Sequence, residues 1–413
     1  MAREVLVPAL THSPGWPYGV PIEELAGRSD WGGVPFQQFV LKVHSRCNLS
    51  CTYCYVYHQV DQSWREQPAV MSRHTVGTAA VRVADHARRH ELAGIQVILH
   101  GGEPLLAGAS LLGHVVERFR EAMPPTTTIA FSLQTNAVLL DDTMLDLCLA
   151  HDIQVGVSMD GGSARHNRRR PRRDGRGSLD AVHAGLARLT SERFRAVFGG
   201  LLCVVDPSND PLEVYEGLLE WRPPAVDFLL PHGNWRTRPP GRVADELSTP
   251  YADWLGTLFD RWYSAPEHET DVRLFEEILA LFLGGHSRVE TVGLTPAAVA
   301  VIETDGSIEQ VDALKSAYHG AAATGLHVER DEFDAALRHP GIVARQIGAA
   351  ALGPECTLCP VHQICGGGYY PHRYRPGSGF RNRSVYCPDL FTLINHIGRR
   401  IRPDLDDARR RAG

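Results

Sequence analysis

The chain has 413 residues, 43% of them hydrophobic, and a formal net charge of −6 at pH 7. This length suits two or three domains with a sizeable core, and the acidic balance offers no general attraction for nucleic acid. Seven of the nine cysteines fall in two tight groups, which is typical of metal sites and not of a secreted disulfide framework. Residues 1–10 lack a basic-then-apolar signal, and no apolar run approaches the roughly 18 residues of a membrane span, so we expect a soluble, cytoplasmic protein.

From residue 36 onward, short apolar runs alternate with amphipathic stretches. Strands are predicted at residues 39–43, 95–99, 128–133, 153–158, 197–205 and 226–230. Helices are predicted between them at residues 75–92, 111–122, 142–150, 179–189 and 212–221. Such a series predicts an α/β fold with a parallel sheet and right-handed crossovers, a partial (β/α)6 TIM-like barrel over residues 36–235. Functional loops of such barrels lie at the C-terminal ends of the strands.

Three further segments flank this core. Residues 1–35 are rich in Pro and Gly and are predicted to form an extended arm. Residues 236–350 are predicted to form a bridging region, with helices at 245–263 and 272–283 and a hairpin of 299–304 and 307–311 around Asp305-Gly306. The tail, 351–413, is dense in Cys, Gly, Pro and Tyr before a C-terminal helix, a composition that folds mainly because a metal holds it.

Cys47, Cys51 and Cys54 lie in one loop after the first predicted strand. Thiolates are soft ligands that select zinc, copper(I) or iron–sulfur clusters. Three thiols with no close fourth ligand leave one iron of a cube open to a small molecule, which indicates a reaction site. A zinc loop, or three reduced thiols, is the alternative.

A second group of thiols occupies the tail. Its members are Cys356, Cys359, Cys365 and Cys387. By chemistry alone, four thiolates suit a structural zinc ion as well as an iron–sulfur cluster.

Polar motifs follow the predicted strands. Gly101, Gly102 and Glu103 come straight after the second strand, and Asn136 and Ser158 end the next two. Glycine lets a backbone approach a ligand, and a carboxylate accepts from an ammonium group. Ordinary turns and helix caps use the same residue types, so a purely structural role is the alternative.

The CxxxCxxC spacing, with Tyr53 before the last cysteine and Gly-Gly-Glu-Pro after the second strand, resembles the radical SAM superfamily. That resemblance implies a 4Fe–4S cluster whose open iron binds S-adenosyl-L-methionine (SAM), and SAM cleavage to methionine and 5′-deoxyadenosine through a radical. Its implied SAM-binding residues are Tyr53, Gly101, Gly102, Glu103, Asn136, Ser158 and Arg170. Arg170 closes a run from residue 160 that resembles the peptide- and protein-modifying branch, where it would bind the SAM carboxylate. The other arginines between 165 and 176 form either a solvated loop or a contact for an acidic peptide.

The tail spacing resembles the SPASM extension, which implies one auxiliary 4Fe–4S cluster held by the four tail cysteines. The fuller pattern has seven cysteines and two clusters. Tyr369 and Val311 stand where two of its further cysteines would be, so the resemblance implies that the second auxiliary cluster is missing. Asp312 takes the place of an aspartate proposed as a base in related maturases. The alternative is a carboxylate that only shapes a turn.

Several stretches, such as 99–108 and 365–374, look like the FxsB family of cyclophane-forming radical SAM/SPASM peptide maturases. This resemblance implies a peptide-modifying oxidoreductase that joins a side-chain Cβ to an aromatic ring in a ribosomally made precursor peptide. It further implies an external electron donor of the flavodoxin or ferredoxin type, and no nucleic acid or membrane partner. The alternatives are a thioether-forming or sulfatase-activating maturase, or a non-catalytic iron–sulfur sensor or binding protein.

Overall fold

The computed structural model describes residues 22–28, 31–242 and 247–412. The expectations for residues 1–21, and the predicted start of the 245–263 helix, lie outside these ranges. Among the helices in the described ranges, none combines the length and apolar character needed to cross a bilayer.

Ten strands form one continuous sheet. They are β1 (Gln38–His44), β2 (Gly94–Gly101), β3 (Thr128–Thr135), β4 (Ile153–Ser158), β5 (Phe198–Val204), β6 (Ala225–Leu229), β7 (Asp271–Val272), β8 (Val299–Ile302), β9 (Ser307–Glu309) and β10 (Ala323–His327). Their order is β10-β9-β8-β1-β2-β3-β4-β5-β6-β7, with every pair from β8–β1 to β6–β7 parallel. The predicted α/β barrel core of six parallel strands is confirmed.

Helices connect these strands and continue into the tail. They are α1 (Ile22–Gly27), α2 (Arg73–Arg89), α3 (Ala109–Ala122), α4 (Asp142–Ala150), α5 (Leu179–Leu189), α6 (Pro211–Leu219), α7 (Pro250–Tyr263), α8 (Arg273–Phe282), α9 (Phe333–Leu337), α10 (Pro340–Ala344), α11 (Pro354–Thr357), α12 (His362–Cys365) and α13 (Cys387–Ala412). Single 3₁₀ turns occur at Ser63–Arg65, Pro104–Ala107, Arg195–Val197, Asp312–Ser316, Gly348–Ala351 and Tyr370–Arg373.

The ends of the predicted elements agree closely with the structure. β4, α4 and α5 begin and end as predicted, and the other core elements differ by only a few residues. Helix α2 begins at Arg73 because the side chain of Ser72 accepts a hydrogen bond from Thr75 N–H and caps it. The predicted start at residue 75 followed the apolar pattern and missed this cap.

Strand β2 illustrates how the sheet encloses a cavity. Val97 and Leu99 on one face are fully buried in the core. Gln96 and His100, on the other face, line an internal cavity of about 660 Å³. The alternation of period two therefore places polar side chains in the barrel lumen, where a substrate can meet them.

The bridging region extends the sheet beyond the predicted core. The predicted hairpin is confirmed, since β8 and β9 pair antiparallel with Ile302 opposite Ile308. Strand β8 also pairs with β1, and the short strands β7 and β10 join the two edges, which the sequence pattern did not predict. The sheet thus continues past residue 235, and the predicted boundaries at 35, 235 and 350 remain predictions.

The N-terminal segment is not wholly extended as predicted. Residues 22–27 form α1, which packs against α10 through a small apolar cluster that includes Ile22, Ala26, Val343 and Ala344. Ile22 and Ala26 are four residues apart and therefore share one face of a helix. This short apolar repeat outweighed the Pro- and Gly-rich composition around it.

The composition of the tail predicts little regular structure before its last helix. The tail contains single helical turns at α11, at α12 and at Tyr370–Arg373. Helix α13 begins at Cys387 and packs along α7 with Leu393 and Ile397 fully buried. This long helix therefore anchors the cysteine-rich tail to the barrel.

Candidate active site

The loop after β1 brings three thiols to one cavity. Cys47, Cys51 and Cys54 all line a cavity of about 200 Å³ at the C-terminal ends of the parallel strands. The loop backbone donates hydrogen bonds of 2.8 and 2.9 Å to carbonyls in the segment 169–171. The path of the loop is thus fixed by a segment more than a hundred residues away.

Burial makes these thiols weak acids. It raises the pKa of Cys47 to about 12 and of Cys51 to about 11, and it raises the pKa of Cys54 above its usual range. The thiols therefore keep their protons while no metal is bound. Because thiolates are the metal ligands, metal binding at this loop must release protons.

Gly101 and Gly102 let the end of β2 pack directly on the cysteine loop. Gly101 has φ 146°, and Gly102 N–H donates a 2.8 Å hydrogen bond to His44 O. A Cβ at Gly101 would overlap the same carbonyl, and one at Gly102 would lie 2.6 Å from the Arg46 carbonyl. Larger residues would push the two loops apart.

Glu103 lines the cavity but its carboxylate is turned toward the protein. Its oxygens accept hydrogen bonds from Thr135 Oγ1 at 2.6 Å, from Asn136 N–H at 2.9 Å and from Leu105 N–H at 3.1 Å. Burial raises the pKa of Glu103, and these hydrogen bonds oppose the rise. Glu103 therefore fastens the loop after β3 to the loop after β2.

Asn136 reaches the cysteine loop from the end of β3. Its Nδ2 donates to Asn48 Oδ1 at 2.8 Å and lies 3.8 Å from Cys47 Sγ. The next residue, Ala137, has φ 59°, a left-handed conformation that glycine adopts more easily. The turn at this position is therefore kept at some cost in backbone strain.

Arg170 is held by a buried hydrogen-bond network. Its Nη1 donates to Tyr53 Oη at 2.9 Å, and its Nη2 donates to Ser158 O at 2.8 Å. Tyr53 Oη in turn donates to Asp160 Oδ2 at 2.7 Å. The guanidinium is 5% exposed, lines the cavity, and its Nε has no partner among the described residues.

The neighbouring arginines have a different partner and are more exposed. Arg168 and Arg169 both pair with Asp206, at 2.6 and 2.8 Å, on the outer side of the loop. They are far more exposed than Arg170, at 39% and 33%. The basic run thus divides into one buried cavity residue and a solvated surface.

The tail cysteines form a second site. Cys356, Cys359, Cys365 and Cys387 line one cavity of about 320 Å³. Burial raises the pKa of Cys365 to about 12 and of Cys387 to about 11. Residues 366–368 are glycines with φ of 59°, 78° and 69°, a turn that only glycine adopts without strain.

The spacing of the sulfur atoms tests which metal group each site fits. In neither group, all of whose cysteines are described, do three sulfur atoms lie within 4.8 Å of one another. Thiolates around one zinc ion, at about 2.3 Å from it, would lie only about 4 Å apart. Both groups therefore fit a larger iron–sulfur cluster better than one zinc ion. At the first site, the unpartnered Nε of Arg170 also fits an anionic group beside the cluster.

A wall of aromatic and imidazole rings separates this cavity from the barrel lumen. Tyr55 and His232, with ring centroids 4.5 Å apart, line both cavities. Tyr369 lines the lumen beside His232, and His232 Nδ1 lies 3.4 Å from His372 Nε2. Burial lowers the pKa of His232 to about 4, so the imidazole is neutral near pH 7.

Asp312 lies at the lumen wall and not in the smaller cavity. Its Oδ1 is 2.9 Å from Lys42 Nζ, inside a cluster that also contains Glu303, Glu309 and Lys315. Burial alone would raise the pKa of Asp312, but the two ammonium groups lower it to about 2. The carboxylate is therefore ionised throughout the physiological pH range.

The structure thus gathers all the predicted cluster-loop and SAM residues around one cavity, with Asp312 in the adjoining one. Sequence reasoning missed the partners that hold them, above all Asp160 and the buried lysines. The lysines could have been singled out in the sequence by their rarity. Lys42 and Lys315 are the only lysines among 42 basic residues, and both are buried beside Asp312.

Residues 41–215 match the model of the Radical SAM superfamily. The cysteine-type anaerobic sulfatase-maturating enzyme of Clostridium perfringens is 25% identical over 379 residues, which cover 88% of this chain and 99% of that protein. The serine-type anaerobic sulfatase-maturating enzyme of Bacteroides thetaiotaomicron is 23% identical over 389 residues, covering 88% and 89%.

Solved structures agree on the fold. Native anSMEcpe with bound AdoMet gives a TM-score of 0.76 at 22% identity, covering 88% of this chain and 98% of that one. SuiB of Streptococcus suis bound to the precursor peptide SuiA gives 0.55 at 13% identity, covering 85% and 76%.

The family match and the cavity together show a radical SAM core over residues 41–215, and the cofactors of such enzymes are a 4Fe–4S cluster and SAM. The tail cysteines fit an auxiliary cluster. The chain is similar over most of its length to anaerobic sulfatase-maturating enzymes.

Proposed function

We propose that the chain is a radical SAM maturase that oxidises a side chain of a peptide or protein. One observation carries this proposal: the cavity of the three cysteines shares the walls of Tyr55 and His232 with a lumen of about 660 Å³. That volume is in the range of small-ligand pockets and accommodates a side chain with its neighbours. The lumen also presents an ionised carboxylate, Asp312, to whatever occupies it.

In this proposal, each predicted site residue has a part in binding a cofactor. Cys47, Cys51 and Cys54 hold the SAM-binding cluster, and the four tail cysteines hold the auxiliary cluster. Arg170, with its unpartnered Nε, binds the SAM carboxylate. Tyr53 and Ser158 support Arg170, while Gly101, Gly102, Glu103 and Asn136 shape the wall that receives the amino group.

When bound, these cofactors supply a carbon radical that removes a hydrogen atom, and one-electron redox chemistry. The side chains of the protein do the rest. Tyr55, His232 and Tyr369 line the lumen and would position the substrate side chain. Asp312 Oδ2 takes the proton that the substrate loses as it is oxidised. A carbon centre that has lost an electron is a strong acid, so a carboxylate with a pKa of about 2 is basic enough.

The curated relatives favour a sulfatase-type reaction. They are named for maturation of sulfatases, of cysteine and of serine type, and they match most of this chain. Such a substrate would present a cysteine or serine side chain in the lumen. Removing one hydrogen atom, one electron and one proton from a serine side chain leaves a carbonyl.

A second candidate is the joining of a side-chain Cβ to an aromatic ring in a precursor peptide. Tyr369 and Val311, which stand in place of SPASM cysteines, both line the lumen. Without a cluster at that position, the lumen has room for an aromatic ring. Restoring that ring after bond formation requires the same loss of a proton and an electron, and so the same base.

Two peptides separate these candidates. The reconstituted protein would be given SAM, a reductant and either a sulfatase-derived peptide with Cys or Ser, or a precursor-type peptide that carries an aromatic side chain. A product that reacts with a hydrazide supports the sulfatase-type reaction. Loss of two hydrogens without a carbonyl, with a ring linkage in tandem mass spectra, supports crosslinking.

A triple Cys47→Ala, Cys51→Ala, Cys54→Ala variant is the control and should produce no 5′-deoxyadenosine. If the wild-type protein forms no 5′-deoxyadenosine with either peptide, the proposed function is wrong.

A further inference from the structure

Buried charges of alternating sign pack around Asp312, and Lys315 Nζ also lies 3.6 Å from Asp312 Oδ1. Asp312 Oδ1 is 2.9 Å from Lys42 Nζ, which is 3.1 Å from Glu303 Oε1. The same Glu303 oxygen is 2.5 Å from Lys315 Nζ, which is 2.9 Å from Glu309 Oε2. None of these five side chains, the charge row, is more than 8% exposed.

The charge row has one negative charge too many. Three carboxylates face two ammonium groups, and an uncompensated charge is costly to bury. The protein can avoid that cost by keeping one extra proton in the row. One added proton would therefore neutralise the row, and one of the three carboxylates must carry it.

Glu309 is the carboxylate least well supported as an anion. Its Oε2 is buried and, despite its closeness to Lys315, receives no well-directed hydrogen bond from the described residues. Burial raises the pKa of Glu309 to about 7, whereas the ammonium groups lower the pKa of Asp312 to about 2. A proton taken up by the row therefore resides on Glu309.

The charged groups that act most strongly on Glu309 come from three elements. Asp312 and Lys315 face it from the 3₁₀ turn, Glu303 from the turn after β8, and Lys42 from β1. On β10 the residue opposite Glu309 is Ala323. His100 of β2 helps to lower the pKa of Asp312 and lines the lumen.

The three carboxylate oxygens lie within 4.8 Å of one another, a spacing that also suits a metal ion. The ammonium groups of Lys42 and Lys315 already supply the cations there, so the row needs no metal. Lysine matters for a further reason. An ammonium group can give up and regain a proton, whereas a guanidinium in a protein cannot. The only two lysines of a chain with 42 basic residues both lie in this row.

We propose that Glu309 is the proton-storing residue of this site, connected to Asp312 through Lys315 directly and, by a longer route, through Lys42, Glu303 and Lys315. The inference rests on the proposed function, in which Asp312 receives a proton from the oxidised substrate. Lys315 gives a proton to Glu309 and so becomes a neutral amine, which can take the proton of Asp312 directly. On the longer route, Lys42 gives a proton to Glu303 and then takes the one on Asp312, while Lys315 takes the one on Glu303. Both lysines end charged, Asp312 is again an anion, and no electron moves.

The row accepts a proton only while Glu309 is ionised. Coupling, the amount of product formed for each SAM cleaved, should therefore rise with pH through an inflection near the pKa of Glu309. Below the inflection it should fall by about tenfold for each pH unit, as the ionised fraction falls.

The first test is independent of any substrate. Infrared difference spectra of the reconstituted wild-type protein, recorded across about pH 5 to 9, should contain a protonated-carboxyl band that disappears as pH rises. Glu309→Gln should remove that band, and Glu309→Asp should restore one. A titrating band that survives Glu309→Gln would place the proton elsewhere and overturn the proposal.

The second test uses turnover. Glu309→Gln should remove the pH inflection in coupling, and Glu309→Asp should bring it back. Lys315→Arg keeps the charge but blocks transfer, so coupling should fall at least tenfold at every pH while 5′-deoxyadenosine still forms. Unchanged coupling in both Glu309→Gln and Lys315→Arg would show that the row stores no proton for the reaction. If the infrared band behaves as expected but no peptide is modified, the proposed function fails and the proton store remains.

Discussion

Arg170 Nη1 donates a 2.9 Å hydrogen bond to Tyr53 Oη, which joins the cysteine loop to a segment more than a hundred residues later. The Tyr53 hydroxyl in turn donates a hydrogen bond to the buried carboxylate of Asp160. The arrangement fixes the guanidinium at the cavity wall, and its buried Nε has no partner among the described residues. The tyrosine before the last cysteine thus positions an arginine, and the arginine is left with one donor for a ligand.

Arg170→Ala should weaken SAM binding. Removing a charge-assisted hydrogen bond costs about 1.5–3 kcal/mol, or roughly tenfold to a hundredfold in affinity. Calorimetry on the reconstituted protein would measure it. Arg168→Ala is the matched control, because that exposed side chain pairs with Asp206 outside the cavity. Normal affinity in Arg170→Ala together with a loss in Arg168→Ala would show that the wrong arginine has been assigned.

The iron content tests the two cysteine sites. Two four-iron clusters predict about eight iron atoms per chain after reconstitution. A triple Cys47→Ala, Cys51→Ala, Cys54→Ala variant should keep about four of them, and a Cys356→Ala, Cys359→Ala variant about four as well. Iron assays with zinc measured in parallel would decide. About twelve iron atoms, or zinc held firmly in the tail, would contradict the single auxiliary cluster.

The sequence predicted those parts of the molecule that repeat a pattern. The six parallel strands and their helices followed from apolar periodicity, and the cavity residues followed from motifs at the strand ends. The pairing of β8 with β1 could not be predicted, because strands of four residues carry almost no periodic signal. The helix α1 was missed because it is stabilised by packing on α10 and not by its own composition.

Side-chain partners were the larger gap. Glu103 and Thr135 are hydrogen-bonded across two different loops, and only the fold brings them together. The charge row is similar, since Lys42 and Lys315 are far apart in the chain. Their rarity was visible in the sequence, but rarity alone does not show burial beside three carboxylates.

Stability should depend on the charge of Lys42. Lys42→Met leaves three buried carboxylates facing one ammonium group, and such a loss typically costs about 3–5 kcal/mol. The free energy of unfolding in urea at pH 7 measures the loss. A second substitution, Asp312→Asn, should recover part of it, because it removes one of the excess negative charges. Full stability in Lys42→Met alone would mean that the row is better solvated than its burial indicates.

His232 should make the protein less stable in acid. Burial lowers its folded-state pKa to about 4, below its usual value of 6.5 in the unfolded chain. Unfolding therefore takes up a proton as pH falls, so the stability due to the neutral imidazole is complete above pH 6.5 and is lost down to about pH 4. The effect is at most about 3 kcal/mol. Urea unfolding of His232→Gln at several pH values should show a flatter acid limb, and an unchanged limb would assign the loss to other groups.

Asp312→Asn tests the proposed base. The substitution is nearly isosteric, but an amide does not take a proton from an oxidised substrate. A positioned base typically contributes about 10²–10⁴-fold, so product formation should fall by that factor while SAM is still cleaved. The expected signature is 5′-deoxyadenosine without the loss of two hydrogens from the peptide, followed by liquid chromatography and mass spectrometry. Asp305→Asn is the matched control, since Asp305 lies on the same hairpin and only supports its turn through Ser307 and Gln67. If Asp312→Asn forms product at the wild-type rate, the proton leaves by another route. Asp312 would then be a partner that holds Lys42 in place.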